Sequence, residues 1–343
     1  MHRPTPRRLA ALLVAACCVA VGCNDGTTQD QDADVTSDTG VNPVDSGLRP
    51  DASIEDTGNP IDMDTSETDA SDDSPMTDVT YDGPIGTDPI PAFDSETDAH
   101  VRDLISRGMA RGNHPEVFAK IGDSITESAS YLFDCGYGWI HLGDHPEMGP
   151  TIQYFQQFQF ADRNSMNRAS LSAVAGWSSS QALEGAPDSP LQQELSATSP
   201  MFAVVMYGTN DLERVDVPTY LQSMNQIVDI IEMNGTVPVI STIPPRMDGE
   251  PYASRVLMWN DAIRSLTHER HIPLIDFWVA LQLAQANGYG MSPDGIHPAV
   301  YVNPSDPNTD GCDFSAAALQ FGYNIRNLTT LQMLTRLRTY TGG

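Results

Sequence analysis

The chain has 343 residues, 40% of them hydrophobic, with 18 Lys or Arg against 46 Asp or Glu and a formal net charge of −28. That balance excludes the counter-charge a nucleic-acid backbone demands, so no nucleic-acid partner is expected, and the length allows a domain with a large core. The acidic residues are unevenly spread, and their distribution marks the first boundaries.

Residues 1–22 place Arg3, Arg7 and Arg8 before an apolar run from Leu9 to Val21 that closes on Gly22. The run is too short and wrongly flanked to span a bilayer and reads as a signal peptide. Its end, Ala20-Val21-Gly22-Cys23, resembles a bacterial lipobox, with Ala20 where leucine is usual. The resemblance implies an acylated Cys23 as the new N-terminus, and hence an exported lipoprotein anchored at the cell envelope or cell surface with no spanning segment. Ordinary cleavage with Cys23 as a free thiol is the alternative.

Residues 23–92 are rich in Asp, Thr, Ser, Gly and Pro, and over residues 24–99 there are 21 acids against the single base Arg49, about −20 of the net charge. Such a stretch buries too little apolar surface to offset its ordering entropy and is expected to be a disordered acidic linker. Asp30, Asp32 and Asp34 alternate as in a calcium loop, but Val35 and Val41 stand where glycine and glutamate are needed. A solvated spacer fits better, and no metal is expected.

Residues 93–343 form the expected globular domain. Its Cys135 and Cys312 are the only cysteines left after processing and acylation; an even pair in an exported domain suggests a disulfide, two free thiols being the alternative. Apolar runs at VFAKI, MFAVVMYG (201–208), TVPVISTI (236–243) and IPLIDFWV (272–279), with a further strand ending near Ala175, alternate with helical segments. In the helical segment from Val217, Tyr220, Met224, Ile227 and Ile231 share one face, and a last helix is expected from about Phe314 to Leu337. Continuous β-branched runs between amphipathic helices predict a three-layer α/β/α domain around an open, flavodoxin-like parallel sheet.

The site of such a sheet lies at the carboxyl ends of its strands. There the sequence places Gly122-Asp123-Ser124, Gly176-Trp177-Ser178, Gly208-Thr209-Asn210-Asp211 and, past the last strand, Asp294-Gly295-Ile296-His297-Pro298. This set suits acyl transfer: a serine hydroxyl, an imidazole to take its proton, a carboxylate to hold the imidazole, and amide donors for a tetrahedral oxyanion. The blocks GDSIT, AGWSS, GTND and DGIHP, in this order, resemble those of the SGNH hydrolases, or GDSL-type esterases and lipases. The resemblance implies Ser124 as nucleophile, His297 as base and Asp294 as its orienting partner. It also implies an oxyanion hole from Ser124, Gly176 and Asn210, and chemistry that needs no cofactor.

Two insertions depart from the family pattern: residues 127–168 and the stretch AVYVNPSDPNTDGCDF after Pro298. A Cys135–Cys312 bridge would tie them together beside the site. Ser178 and Ser292 are rival nucleophiles, Ser124 or Asn210 could merely cap helices, and His141 with His145 imitates a zinc signature that Gly143 and Pro146 spoil. The reading is a monomeric serine esterase acting on small O-acyl groups of a polysaccharide. Its alternatives are a lipase or phospholipid acylhydrolase, a sugar O-acetyltransferase, and an inactive surface binding protein.

Overall fold

The computed structural model describes residues 86–343 apart from Gln285. The expected signal peptide, Cys23 and the linker as far as residue 85 lie outside the described residues. Four parallel strands run β1 (His114–Gly122), β2 (Pro200–Met206), β3 (Val237–Ser241) and β4 (Leu274–Ile275), side by side in that order. All seven residues of β2 and all five of β3 are buried, as both faces of a helix-covered parallel sheet require.

The helices Pro190–Thr198, Val217–Met233 and Tyr252–Glu269 pack on one another and against β1 and β3. On a second set, Gly322–Arg338 packs with Gly149–Phe155 and Phe277–Leu283. Val217–Met233 buries Tyr220, Met224, Ile227 and Ile231, the face its periodicity predicts, and Asp216 caps it by accepting from the Thr219 N–H at 3.0 Å.

Three elements differ from expectation. The strand ending near Ala175 contracts to a single parallel bridge between Ala173 and Gly122, because the chain turns at Gly176 with φ +79°. This bridge lies on the far edge of β1 from β2, which keeps the flavodoxin-like order and makes β1 the point where the order reverses. The run 272–279 gives only Leu274–Ile275 as strand, since Asp276 accepts from the Val279 N–H and starts the helix Phe277–Leu283. The last helix begins at Gly322 instead of Phe314, the residues before it holding a short 3-10 turn at Ala318–Gln320.

A helix not foreseen, Ser95–Arg111, is capped by Asp94 at its start and by left-handed Gly112 at its end. Before it, Ile90 is buried, the Asp276 N–H donates to the Pro89 carbonyl at 2.8 Å, and Arg336 donates to the Ile90 carbonyl at 3.0 Å. The Cys135–Cys312 disulfide is formed, with both residues fully buried.

Candidate active site

The buried strand β1 ends at Gly122, where an added Cβ would stand 2.3 Å from Thr126 Oγ1 and 2.5 Å from the Met206 carbonyl oxygen. Only glycine, with no side chain, lets Thr126 and the end of β2 approach so closely. Asp123 then caps the short helix Ser124–Glu127 through Oδ1, which accepts from the Ile125 N–H at 2.9 Å. Ser124 opens that helix with its Oγ 2.8 Å from His297 Nε2. The other ring nitrogen, Nδ1, lies 2.7 Å from Asp294 Oδ2. An ionised carboxylate only accepts, so Nδ1 carries the proton and Nε2 is left to accept from the serine hydroxyl.

Asp294 is itself held on its second oxygen. Oδ1 accepts from the Ser292 hydroxyl at 2.5 Å and from the N–H groups of Ile296 at 2.9 Å and His297 at 3.0 Å. Burial works against its ionisation, but these bonds and the one from the His297 ring outweigh it and keep the carboxyl well below the usual carboxylate range. The turn is fixed from outside by the Met247 N–H, which donates to the Gly295 carbonyl at 2.7 Å.

The other two blocks converge on the same strand ends. Asn210 follows β2 and donates from Nδ2 to the Trp177 carbonyl at 2.9 Å, leaving its second amide hydrogen free of protein partners among the described residues. Gly176, left-handed and open to solvent on its Cβ side, has its carbonyl held by Arg214 at 2.9 Å, while the preceding Ala175 N–H donates to Glu127 Oε2 at 2.8 Å. The Ser124 and Gly176 N–H groups find no protein acceptor among the described residues. Asp211 locks the two blocks together, its buried carboxylate accepting from the Ser179 hydroxyl at 2.5 Å and from the Ser179 N–H at 2.9 Å. Its carboxyl is raised, by burial first, against the hydrogen bonds from Ser179 that lower it.

The structure therefore brings Ser124, His297 and Asp294 into one hydrogen-bonded chain and ties the Gly176 turn to Asn210 through Trp177. The rival serines take other posts: Ser178 forms a capping box with Gln181 and receives Arg214, and Ser292 serves Asp294. Asn210 makes no side-chain cap of the helix Asp211–Arg214. His141 faces Asp313 at 3.0 Å and His145 faces Glu147 at 3.3 Å, each ring occupied by its own carboxylate. Ser292, Glu127 and Arg214 do not announce themselves as supports in the sequence. Glu127 and Arg214 reach backbone groups on other segments, which no spacing rule encodes, and Ser292, two residues before Asp294, reads in the sequence only as a rival nucleophile. Asp123, whose purpose the sequence leaves open, is fully buried; Oδ2 has no hydrogen-bond partner, and burial raises the carboxyl to about 6.

A family model described as the GDSL-like lipase/acylhydrolase family matches residues 121–300, just over half of the chain and inclusive of all five residues above. No curated protein matches the chain. Among solved structures it is similar to a GDSL-like lipase from Bacteroides thetaiotaomicron, at 14% identity over 69% of this chain and 98% of that one, with a TM-score of 0.40. A lipase/acylhydrolase from Enterococcus faecalis is 17% identical over 64% and 95% of the two chains, with a TM-score of 0.44. An acetylxylan esterase from Geobacillus stearothermophilus is 14% identical over 65% and 95%, with a TM-score of 0.42.

Proposed function

The chain belongs to the GDSL-like lipase/acylhydrolase family and is a carboxylic ester hydrolase, and we propose that it works through an acyl-enzyme on Ser124 and removes small O-acyl groups from carbohydrate. The observation that carries this reading is the 2.8 Å approach of Ser124 Oγ to His297 Nε2, with Nδ1 engaged by Asp294. As Ser124 Oγ attacks the ester carbonyl carbon, its proton passes to Nε2, and the imidazolium that forms is stabilised by the adjacent carboxylate. The carbonyl oxygen, now negative, is received by the N–H groups of Ser124 and Gly176 and by the Asn210 amide. The proton on Nε2 then goes to the leaving alcohol, the C–O bond of the ester breaks, and the acyl group stays on Ser124. A water molecule, deprotonated by the same nitrogen, releases the acid and restores the serine.

The carbohydrate part of the proposal is supported by the insertion after the histidine, AVYVNPSDPNTDGCDF, where Asn, Asp, Ser and Thr hold seven of sixteen positions and suit a hydroxylated polymer. Export and an anchor at Cys23 are proposed on the signal-like N-terminus. An acylated Cys23 N-terminus in the intact mass of the membrane fraction is expected, and an unmodified cysteine overturns the anchor. The catalytic reading is tested with the full-length protein and Ser124→Ala on p-nitrophenyl esters of increasing chain length. The substitution is expected to lower turnover by at least about 10³-fold, with acetate preferred over octanoate. Undiminished turnover removes the mechanism, and a preference for octanoate turns the substrate toward lipid esters.

A further inference from the structure

The first insertion carries an aromatic surface with no part in the chemistry above. Tyr137 and Trp139 are 40% and 43% exposed, yet their rings are stacked on each other at 4.5 Å between centroids and 20° between planes. The Arg163 guanidinium lies 5.0 Å from the Tyr137 ring centroid. Tyr137 is thus covered by Trp139 on one face and by Arg163 on the other, and the outer face of Trp139 is the one left open for a flat partner.

The pair is fixed in place before anything binds. Tyr137 ends the helical turn Phe133–Tyr137, whose Cys135 is bridged to Cys312. The Trp139 N–H donates to the Asp134 carbonyl at 3.0 Å. Two residues on, His141 pairs with the second insertion: its N–H donates to the Cys312 carbonyl and its carbonyl accepts from the Phe314 N–H. Little conformational entropy remains to be lost on binding.

The surface also neighbours a cavity that reaches the helix begun by Ser124. Phe133, one helical turn before Tyr137 and hence about 6 Å away along the helix, borders a cavity of about 260 Å³. Thr126 and Glu127, on the helix that Ser124 begins, line the same cavity. Lys120, Arg168, Glu127 and the Ser170 hydroxyl also line it, and Arg168 is paired to the buried Glu194, so its charges balance. Polar groups beside the apolar Phe133, Ala169, Ala173 and Val174, with no excess of either charge, suit the mixed hydroxyl and C–H surface of a neutral polyol better than an anion or an alkyl chain.

We propose that Trp139, backed by Tyr137, presents its outer ring face as a stacking platform for a neutral sugar ring, a subsite that holds the polymer while the acyl group of a neighbouring ring reaches Ser124. The apolar C–H face of a pyranose lies flat on an aromatic ring, and its equatorial hydroxyls point sideways to polar neighbours. A lipid surface is the less favoured occupant, because the rings lie against each other instead of projecting outward. This inference rests on the carbohydrate reading of the preceding section.

The test compares the full-length protein with Trp139→Ala and Trp139→Phe on p-nitrophenyl acetate, on partially O-acetylated xylan and on phosphatidylcholine vesicles. Trp139→Ala is expected to raise KM for the polymer about five- to tenfold. Its turnover of p-nitrophenyl acetate, whose alcohol is too short to reach the platform, should change by less than about twofold, and Trp139→Phe should recover most of the loss. The platform is overturned by an unmoved polymer KM, by an equal loss on both esters, or by a loss of vesicle binding with polymer hydrolysis intact. If no acetylated polymer is hydrolysed, the carbohydrate reading fails by itself. Calorimetry with unacetylated xylohexaose then decides the platform: binding that Trp139→Ala weakens sustains it, and absent or equal binding removes it.

Discussion

Asp123 and Ser124 are neighbours with opposite environments. Ser124 is half-buried against an imidazole, whereas Asp123 is sealed beneath it with one carboxylate oxygen unpartnered. Burial raises the Asp123 carboxyl from its ordinary 3.8 to about 6, with the Ile125 N–H and Arg326 pulling the other way. The folded protein therefore holds a proton between about pH 4 and 6 that the unfolded chain releases. The stability this contributes is complete below about pH 4 and is lost as the pH rises through 6. Asp123→Asn keeps an acceptor for Ile125 and removes the titration. Compared by urea unfolding, the variant is expected to gain on the wild type between pH 4 and 7 by on the order of 3 kcal/mol; equal pH slopes for the two proteins contradict the assignment. Asp211, also raised by burial, adds to the rise at Asp123 through its charge.

At the scale of elements, what could be read from the chain depended on whether one segment's own composition decides its state. MFAVVM is buried on both faces and stands alone as a strand signal, as β2 shows, and the helix from Val217 carries its buried face in its own period. IPLIDFWV looks equally apolar, but a single Asp276 converts its second half to helix, and LSAVAG keeps only one bridge before Gly176 turns it. The site follows the same division. The motif blocks that hold Ser124, Asn210, Asp294 and His297 are visible as short strings, while the contacts of Glu127 with Ala175 and of Arg214 with Gly176 span 48 and 38 residues and leave no local trace.

The insertions were visible only as departures from a pattern, and their order comes from long-range ties. Lys120 in β1 donates to the Met166 carbonyl at 2.7 Å with its ammonium 4.5 Å from the Phe133 ring centroid, and the disulfide joins segments 177 residues apart. Closing so long a loop limits the unfolded chain most, so Cys135→Ser with Cys312→Ser should lower unfolding free energy by about 2–5 kcal/mol. Denaturant midpoints that match those of the oxidised wild type contradict a structural role for the bridge.

Across the whole molecule, the order of the strands gathers the site. β1 meets β2 on one edge and the Ala173 bridge on the other, so the crevice at its carboxyl end receives Ser124, the Gly176 turn and Asn210 from three segments, with His297 delivered from beyond β4. The sheet fixes these ends, and the remaining loops are free to vary the substrate while the ester chemistry stays the same. In the proposed mechanism Ser124, activated by His297, carries the acyl group. A fluorophosphonate that traps activated serines tests it most directly, read by intact mass and peptide mapping of the full-length protein. One adduct per chain is expected on the peptide containing Ser124, none in Ser124→Ala, and labelling slowed about 10²- to 10⁴-fold in His297→Ala. An adduct on Ser178 or Ser292, or undiminished labelling of Ser124→Ala, contradicts it.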